Sequence, residues 1–279
     1  MIKQDCLFDK IHLKNQQITT YNLKTLLSNL YNNVCFSTFP YLVYKANSSK
    51  ESIERYNSGN CIAFAYFIQM YLKKNHKIDS YLIGASVPEL FKVPGTPEVC
   101  HCAVLIPINL YEFYILDGAL YFVEPMFCSL KNNVVRCIKN SNCHNHENTE
   151  VEYHIESCGD TVIDMSYKQI LPEKSLCVCC NFVDLPEQKW KYYLSEIKNP
   201  DQTIGHSFLL HKPEPFLMFT RFEDNIVKMK YKVQYEDGNI VIRKYPERTL
   251  IYKGNTYDNN DTLISLFQEL YPYFDDFII

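Results

Sequence analysis

Three residues in this chain are of the types, and in the order, that nucleophilic catalysis needs: Cys61, His101 and Asp117. A thiol is a weak nucleophile until a base takes its proton. An imidazole serves as that base best when a carboxylate fixes its tautomer and stabilises the imidazolium. Such a set supports acyl transfer or amide cleavage through a thioester on the cysteine. Each residue alone has an ordinary use: a buried Cys fills core, a His on an apolar strand bonds its neighbours, and Asp before Gly118 makes a turn. The case for chemistry therefore rests on the elements that carry them.

Cys61 follows a turn-forming tetrapeptide, Asn57 to Asn60, and opens an apolar run that reaches Leu72 before Lys73, Lys74 and Asn75 end it. The run predicts a helix buried on most sides, with Ser58 or Asn60 as its N-cap. With Asn60 as the cap, Cys61 is the first helical residue. There the orphan backbone N–H groups and the positive end of the macrodipole favour a thiolate and could hold a developing oxyanion. Downstream, Val99 to Ile106 and Tyr111 to Leu116 read as the strands of a hairpin, joined by Pro107-Ile108-Asn109-Leu110. A turn centred on Asn109 sets His101 directly opposite Asp117 on one face, with Cβ atoms about 5 Å apart. A slip of one residue would separate them.

Around this centre the pattern predicts a helix over Asn22 to Leu30, capped by Thr20 or Asn22, and an extended segment or turn over Val34 to Tyr41. A strand follows over Ile78 to Val87, then a Pro-containing loop from Pro88 to Pro97 that could lie over a site. Residues 128–185 carry Cys, His and Asn clusters, with an excursion between Asn132 and Asn148. Glu187 to Ile197, around the single tryptophan Trp190, reads as a helix. Strands are expected over Phe216 to Phe222, Ile226 to Tyr235, Ile240 to Tyr245 and Thr249 to Lys253, with a turn at Asp237-Gly238. Asp261 caps a final amphipathic helix, Thr262 to Leu270. These elements divide the chain into a helical part, 1–85, carrying Cys61; a β part with an irregular insertion, 86–190, carrying His101 and Asp117; and a β-rich part, 191–279, ending in a helix. All three are expected to pack as one compact unit.

The composition narrows the function classes. With 279 residues, 47% hydrophobic and 22% charged, the chain can bury a sizeable core, and its formal net charge of −4 comes without a Lys/Arg cluster. That argues against nucleic acid or a membrane surface as partner, and for a small-molecule or peptide substrate. Met1 to Leu13 lacks the apolar core of a signal peptide, and the longest apolar run is too short to cross a bilayer, so a cytoplasmic location with mostly reduced thiols is expected for the twelve cysteines. A second group, Cys137, Cys143, His144, His146, His154 and Cys158, has zinc-ligand chemistry in a spacing that matches no standard finger; an exposed polar insertion is the expectation, and no metal. Cys177 and Cys179 share a strand face, and Cys100 and Cys102 alternate with His101 and should point away from its face.

In its order of Cys-helix, His-strand and Asp-strand the chain resembles the transglutaminase-like cysteine fold, and within it the arylamine N-acetyltransferases. Gly59-Asn60-Cys61 stands where that family has Arg-Gly-Gly-x-Cys, and Tyr114-Ile115-Leu116-Asp117-Gly118 is similar to its Val-Asp-x-Gly element. Thr25 to Tyr44 sits where the family has a helix and a Pro-Phe-Glu-Asn segment, and Ser207-Phe208 is similar to its Pro-x-Ser-x-Phe stretch. The chain departs from the pattern at Asn57, where the family has Arg, with Arg55 nearby but out of register. It departs again at Ser37-Thr38-Phe39-Pro40, which lacks the family's glutamate, and in its single Gly59.

The resemblance implies an α+β fold: a helical part, a central antiparallel sheet or barrel, and a β-rich part with a terminal helix. It implies a ping-pong acyltransferase in which His101 activates Cys61, Asp117 holds His101, acetyl-CoA donates the acetyl group and a small-molecule amine accepts it. Loop 88–98 and residues 118–127 would line the pocket. Two other readings stay open: a transglutaminase-like peptidase or transamidase using the same triad, and a non-catalytic binding protein on this scaffold.

Overall fold

The computed structural model describes residues 17–130, 134–135, 138–140, 151–159, 161–169, 187–205, 214–245 and 247–254. The expected terminal helix after Asp261, Ser207 and Phe208, the cysteines 137, 143, 177 and 179, and His144 and His146 lie outside them.

The first described element is α1, Thr20–Asn33, whose Leu23, Leu26, Leu27, Leu30 and Tyr31 recur at helical spacing and are buried. Its cap is Thr19, in place of the expected Thr20 or Asn22: Thr19 accepts from the Asn22 backbone and the Asn22 side chain reaches back to Thr19, a reciprocal capping box. The segment read as extended or turn is both a strand and a helix: β1, Cys35–Ser37, then a single turn, α2, Phe39–Leu42. Pro40 falls in the first turn of α2, where its missing N–H costs no intrahelical bond. α3, Ser49–Tyr56, was not expected from the sequence; Ser48 caps it by accepting the Glu51 N–H at 3.1 Å, and Asn57 ends it in the left-handed region.

After β2, Ser58–Gly59, comes α4, Cys61–Tyr71, capped by Asn60 and buried at Cys61, Ile62, Ala63, Phe64, Ala65 and Ile68. No described helix is long and apolar enough to cross a membrane.

Two antiparallel-rich sheets make this an α+β fold. The first is nine-stranded among the described residues. It is formed by β3 (Tyr81–Ala85), β4 (His101–Pro107), β5 (Glu112–Leu116), β6 (Met126–Ser129), β7 (Val134–Val135), β8 (Ile138–Asn140), β9 (Val151–Cys158), β10 (Val162–Gln169) and β11 (Gln188–Glu196). Its order is β7-β6-β5-β4-β3-β11-β10-β9-β8. The second contains β12 (Phe216–Glu223), β13 (Ile226–Glu236), β14 (Asn239–Lys244) and β15 (Thr249–Gly254), ordered β15-β14-β13-β12-β1-β2. The tight turn between β13 and β14 places Asp237 and Gly238 at φ 51° and 77°, the positive values that Asp-Gly hairpins supply.

β11 corrects the helix expected over Glu187 to Ile197. Gln188, Trp190, Tyr192 and Leu194 are buried while Lys189 and Lys191 are exposed, a period of two that belongs to a strand with one face in the core. It pairs with β10 on one side and β3 on the other, running through the 190/191 division. A second correction concerns the β4–β5 hairpin, which pairs Val104 with Leu116 and Pro107 with Phe113, two positions from the expected register. The cause is Asn109, which starts the turn instead of centring it: its Oδ1 accepts from the backbone of Tyr111 and Glu112 at 2.9 and 3.0 Å. A shift of two preserves the face of every side chain, so His101 and Asp117 still meet.

Candidate active site

The site is assembled where α4 packs on the nine-stranded sheet. The six-stranded sheet delivers Cys61: β2 pairs in parallel with β1, and the chain turns directly from Gly59 through Asn60 into the helix. Gly59 is required by close approach, since a Cβ there would lie 2.5 Å from Ala63 Cβ and 2.8 Å from the Tyr41 hydroxyl. His101 begins β4, and Asp117 directly follows β5. Gly118 then lets the chain pass α1 and α4, because a Cβ would meet Leu30 Cδ2 at 2.4 Å.

The three expected residues come together and are buried, Cys61 being 8% exposed, His101 3% and Asp117 0%. His101 Nε2 lies 2.8 Å from Asp117 Oδ2. An ionised carboxylate only accepts, so Nε2 carries the proton and Nδ1 is the nitrogen left to act as base. Cys61 is among the groups whose interaction raises the His101 pKa. Burial opposes a charge on the imidazole, but the field and hydrogen bond of Asp117, together with Cys61, outweigh it and hold the His101 pKa well above the ordinary value. Burial pushes the other core thiols, Cys35, Cys100, Cys102 and Cys128, upward, which makes them poorer nucleophiles at neutral pH.

One residue of this centre escaped sequence reasoning. The Tyr192 hydroxyl, wholly buried, donates to Asp117 Oδ2 at 2.7 Å, and the Leu120 N–H donates to Oδ1 at 3.1 Å. Asp117 thus accepts three hydrogen bonds, from His101, Tyr192 and Leu120, with its side chain fully buried. Burial comes first, and the Asp117 charge second, in holding the Tyr192 phenol well above its usual range, so it stays a donor. Alternation along Gln188, Trp190, Tyr192 and Leu194 was the available signal.

Arg55 is not part of the centre: it is exposed, pairs with Glu51 at 2.8 Å and lies over the Tyr56 ring. Loop residues Glu89, Lys92 and Thr96 line a cavity of about 660 Å³ together with Glu156, Lys189 and Lys191, and none of Cys61, His101 and Asp117 lines it. Residues 120–123 are buried in the core. Among the described residues no cluster of three or more His, Cys, Asp or Glu could hold a metal ion.

No protein-family model and no curated sequence matches the chain. Its fold does match solved structures. An arylamine N-acetyltransferase from Bacillus cereus, described as having a unique Cys-His-Glu catalytic triad, superposes with a TM-score of 0.53 at 13% identity, covering 95% of this chain and 96% of that one. Arylamine N-acetyltransferase C from Bacillus anthracis gives 0.53 at 11%, covering 96% of each chain. A cysteine-to-glutamine variant of the Mycobacterium smegmatis enzyme gives 0.51 at 9%, covering 94% of this chain and 88% of that one.

Proposed function

We propose that this chain, which has the fold of the arylamine N-acetyltransferases, is a cysteine-dependent acyltransferase that moves an acetyl group from acetyl-CoA to a small-molecule amine. The observation that carries the reading is the buried Cys61–His101–Asp117 set, with Cys61 on a helix N-terminus and Nε2 of His101 committed to the carboxylate. The scaffold alone would host other functions; the site is what argues for this one.

His101 Nδ1 takes the Cys61 proton, and the thiolate attacks the thioester carbonyl of the donor substrate. The first-turn N–H groups of α4 lie beside Cys61 and receive the oxyanion. Collapse forms acetyl-Cys61 and expels the CoA thiolate, which takes the proton from the imidazolium. The amine nitrogen then attacks acetyl-Cys61, and its surplus proton passes through His101 to the departing sulfur. Asp117 keeps His101 in one tautomer throughout, and Tyr192 keeps Asp117 in place.

The test is the intact mass of the protein after brief incubation with acetyl-CoA, alongside Cys61→Ala. An acetyl-sized gain on the parent alone, discharged by an aniline, is expected. No gain, with Cys61 still labelled faster than the other cysteines by a thiol probe, would replace acetyl transfer with the peptidase or transamidase chemistry of the same triad. Neither gain nor selective labelling would leave a binding scaffold.

A further inference from the structure

Beneath the first turn of α4 lies a polar ring that the triad does not use. Asp201, on the short helix α5 (Pro200–Thr203), accepts the Ser49 backbone N–H at 3.1 and 3.2 Å and the Ser49 hydroxyl at 2.5 Å. Ser49 Oγ lies 3.1 Å from the Tyr41 hydroxyl and 3.0 Å from Asn60 Oδ1. The Tyr41 hydroxyl lies 2.9 Å from Asn60 Oδ1 and accepts the Asn60 N–H at 3.2 Å. The Ala63 N–H, which can only donate, points at the same Asn60 atom from 3.1 Å, so that atom is the oxygen.

The proton count limits how the ring works. Three oxygens, from Tyr41, Ser49 and Asn60, meet with two hydroxyl protons between them, and a fourth group, the Asp201 carboxylate, competes for one. A bond to an ionised acceptor is about twice as strong as a neutral one, so the Ser49 proton goes to Asp201. Tyr41, which takes the Asn60 N–H, then has two acceptors for its own proton, Asn60 Oδ1 at 2.9 Å and Ser49 Oγ at 3.1 Å. Asp201 thus sets the direction of the Ser49 hydroxyl, and the ring closes on the cap of the helix whose first residue is Cys61. Ser49 and Asn60 are fully buried and Asp201 is half-buried, so the ring lies mostly out of bulk solvent.

We propose that Asp201, acting through Ser49, Tyr41 and Asn60, is a positioning residue for the Cys61 nucleophile. The inference rests on the reading of Cys61 as the nucleophile. It also gives one stretch of chain two tasks: β11 sends Tyr192 to Asp117, and α5, a few residues on, sends Asp201 to the ring under Cys61. Both ends of the triad are thus braced by residues 192–201.

The test is site-resolved alkylation by iodoacetamide, read by peptide mass across pH, for the parent, Asp201→Asn and Ser49→Ala, with circular dichroism to confirm folding. Asp201 is itself a negative charge, so deleting it without any relay would ease thiolate formation and move the Cys61 pH profile downward. His101, Cys100 and Cys102, the titratable groups that interact with Cys61, are unchanged in both variants. Loss of the ordered cap should instead slow Cys61 alkylation about tenfold and move its profile upward by about half a pH unit, the scale of a helix-end effect, in both variants. An unchanged profile and rate in the folded variants, or a downward move in Asp201→Asn, overturns the proposal. If Cys61 in the parent reacts no faster than the other cysteines, the nucleophile reading fails first, whatever the variants do.

Discussion

Two regions of this molecule hold an acid–base pair at nearly the same distance and do different things with it. At the core end of the nine-stranded sheet His101 and Asp117 sit 2.8 Å apart with both side chains out of water. On the six-stranded sheet Arg243 grips Glu236 through two bonds of 2.7 and 2.9 Å, with about a third of each side chain in solvent. By geometry the second pair is the better one. Solvent reverses the ranking, because water screens Arg243–Glu236 and competes for both partners, whereas nothing replaces Asp117 if it is lost. Distance alone does not identify a working pair; burial, and the extra donors that burial demands, do.

The largest break in the comparison should come from Asp117→Asn, which preserves shape but removes the charge that fixes the His101 tautomer. Acyl transfer is expected to fall by about four orders of magnitude, read as kcat/KM, with the far-UV spectrum unchanged. Glu236→Gln should leave activity at the parental level.

A second break uses pH. The folded-state pKa of His101 is raised above its unfolded value, so the native chain holds a proton that the unfolded chain gives up. The stabilisation from this group is complete below the ordinary histidine range. It is lost as pH rises from there through the raised folded value, at up to about 1.4 kcal/mol per pH unit. Urea melts of the parent against His101→Gln should show that slope in the parent and its disappearance in the variant. A parent whose excess stability grew with pH over this window would contradict the assigned direction.

Tyr192→Phe should sharpen the picture by removing one donor of three. Asp117 keeps His101 and Leu120, so a partial effect is expected: a stability loss of about 1–3 kcal/mol in a denaturant melt. With less competition for Oδ2, the acidic limb of the rate profile should move to higher pH. The smallest effect belongs to the outer pair. Glu236→Gln should change stability by no more than about 0.5 kcal/mol, and less at high salt, since an exposed pair is discounted by screening.

Local regions of the sequence were the legible ones. α4 and its Asn60 cap could be read because an apolar run behind a turn encodes a helix start within a few residues. The strands β12 to β15 could be read because alternation and an Asp-Gly turn are equally local. The fold matches this part of the reading, an α+β chain with the architecture of the arylamine N-acetyltransferases. Parity rescued the hairpin, since an error of two residues in register left His101 and Asp117 on one face.

What the sequence by itself determined, then, was the place of Cys61 at the head of a helix and the shared face of His101 and Asp117, because each is set by its own neighbours along the chain. Only the tertiary structure decided that residues 188–196 are a strand and not a helix, since their choice depends on β3 and β10 lying on either side. It alone brought Tyr192 to Asp117 across 75 residues and Asp201 to Ser49 across 152. A hydrogen bond between distant residues leaves no period in the sequence; it exists only once packing has removed water and left each buried donor with a single acceptor to find.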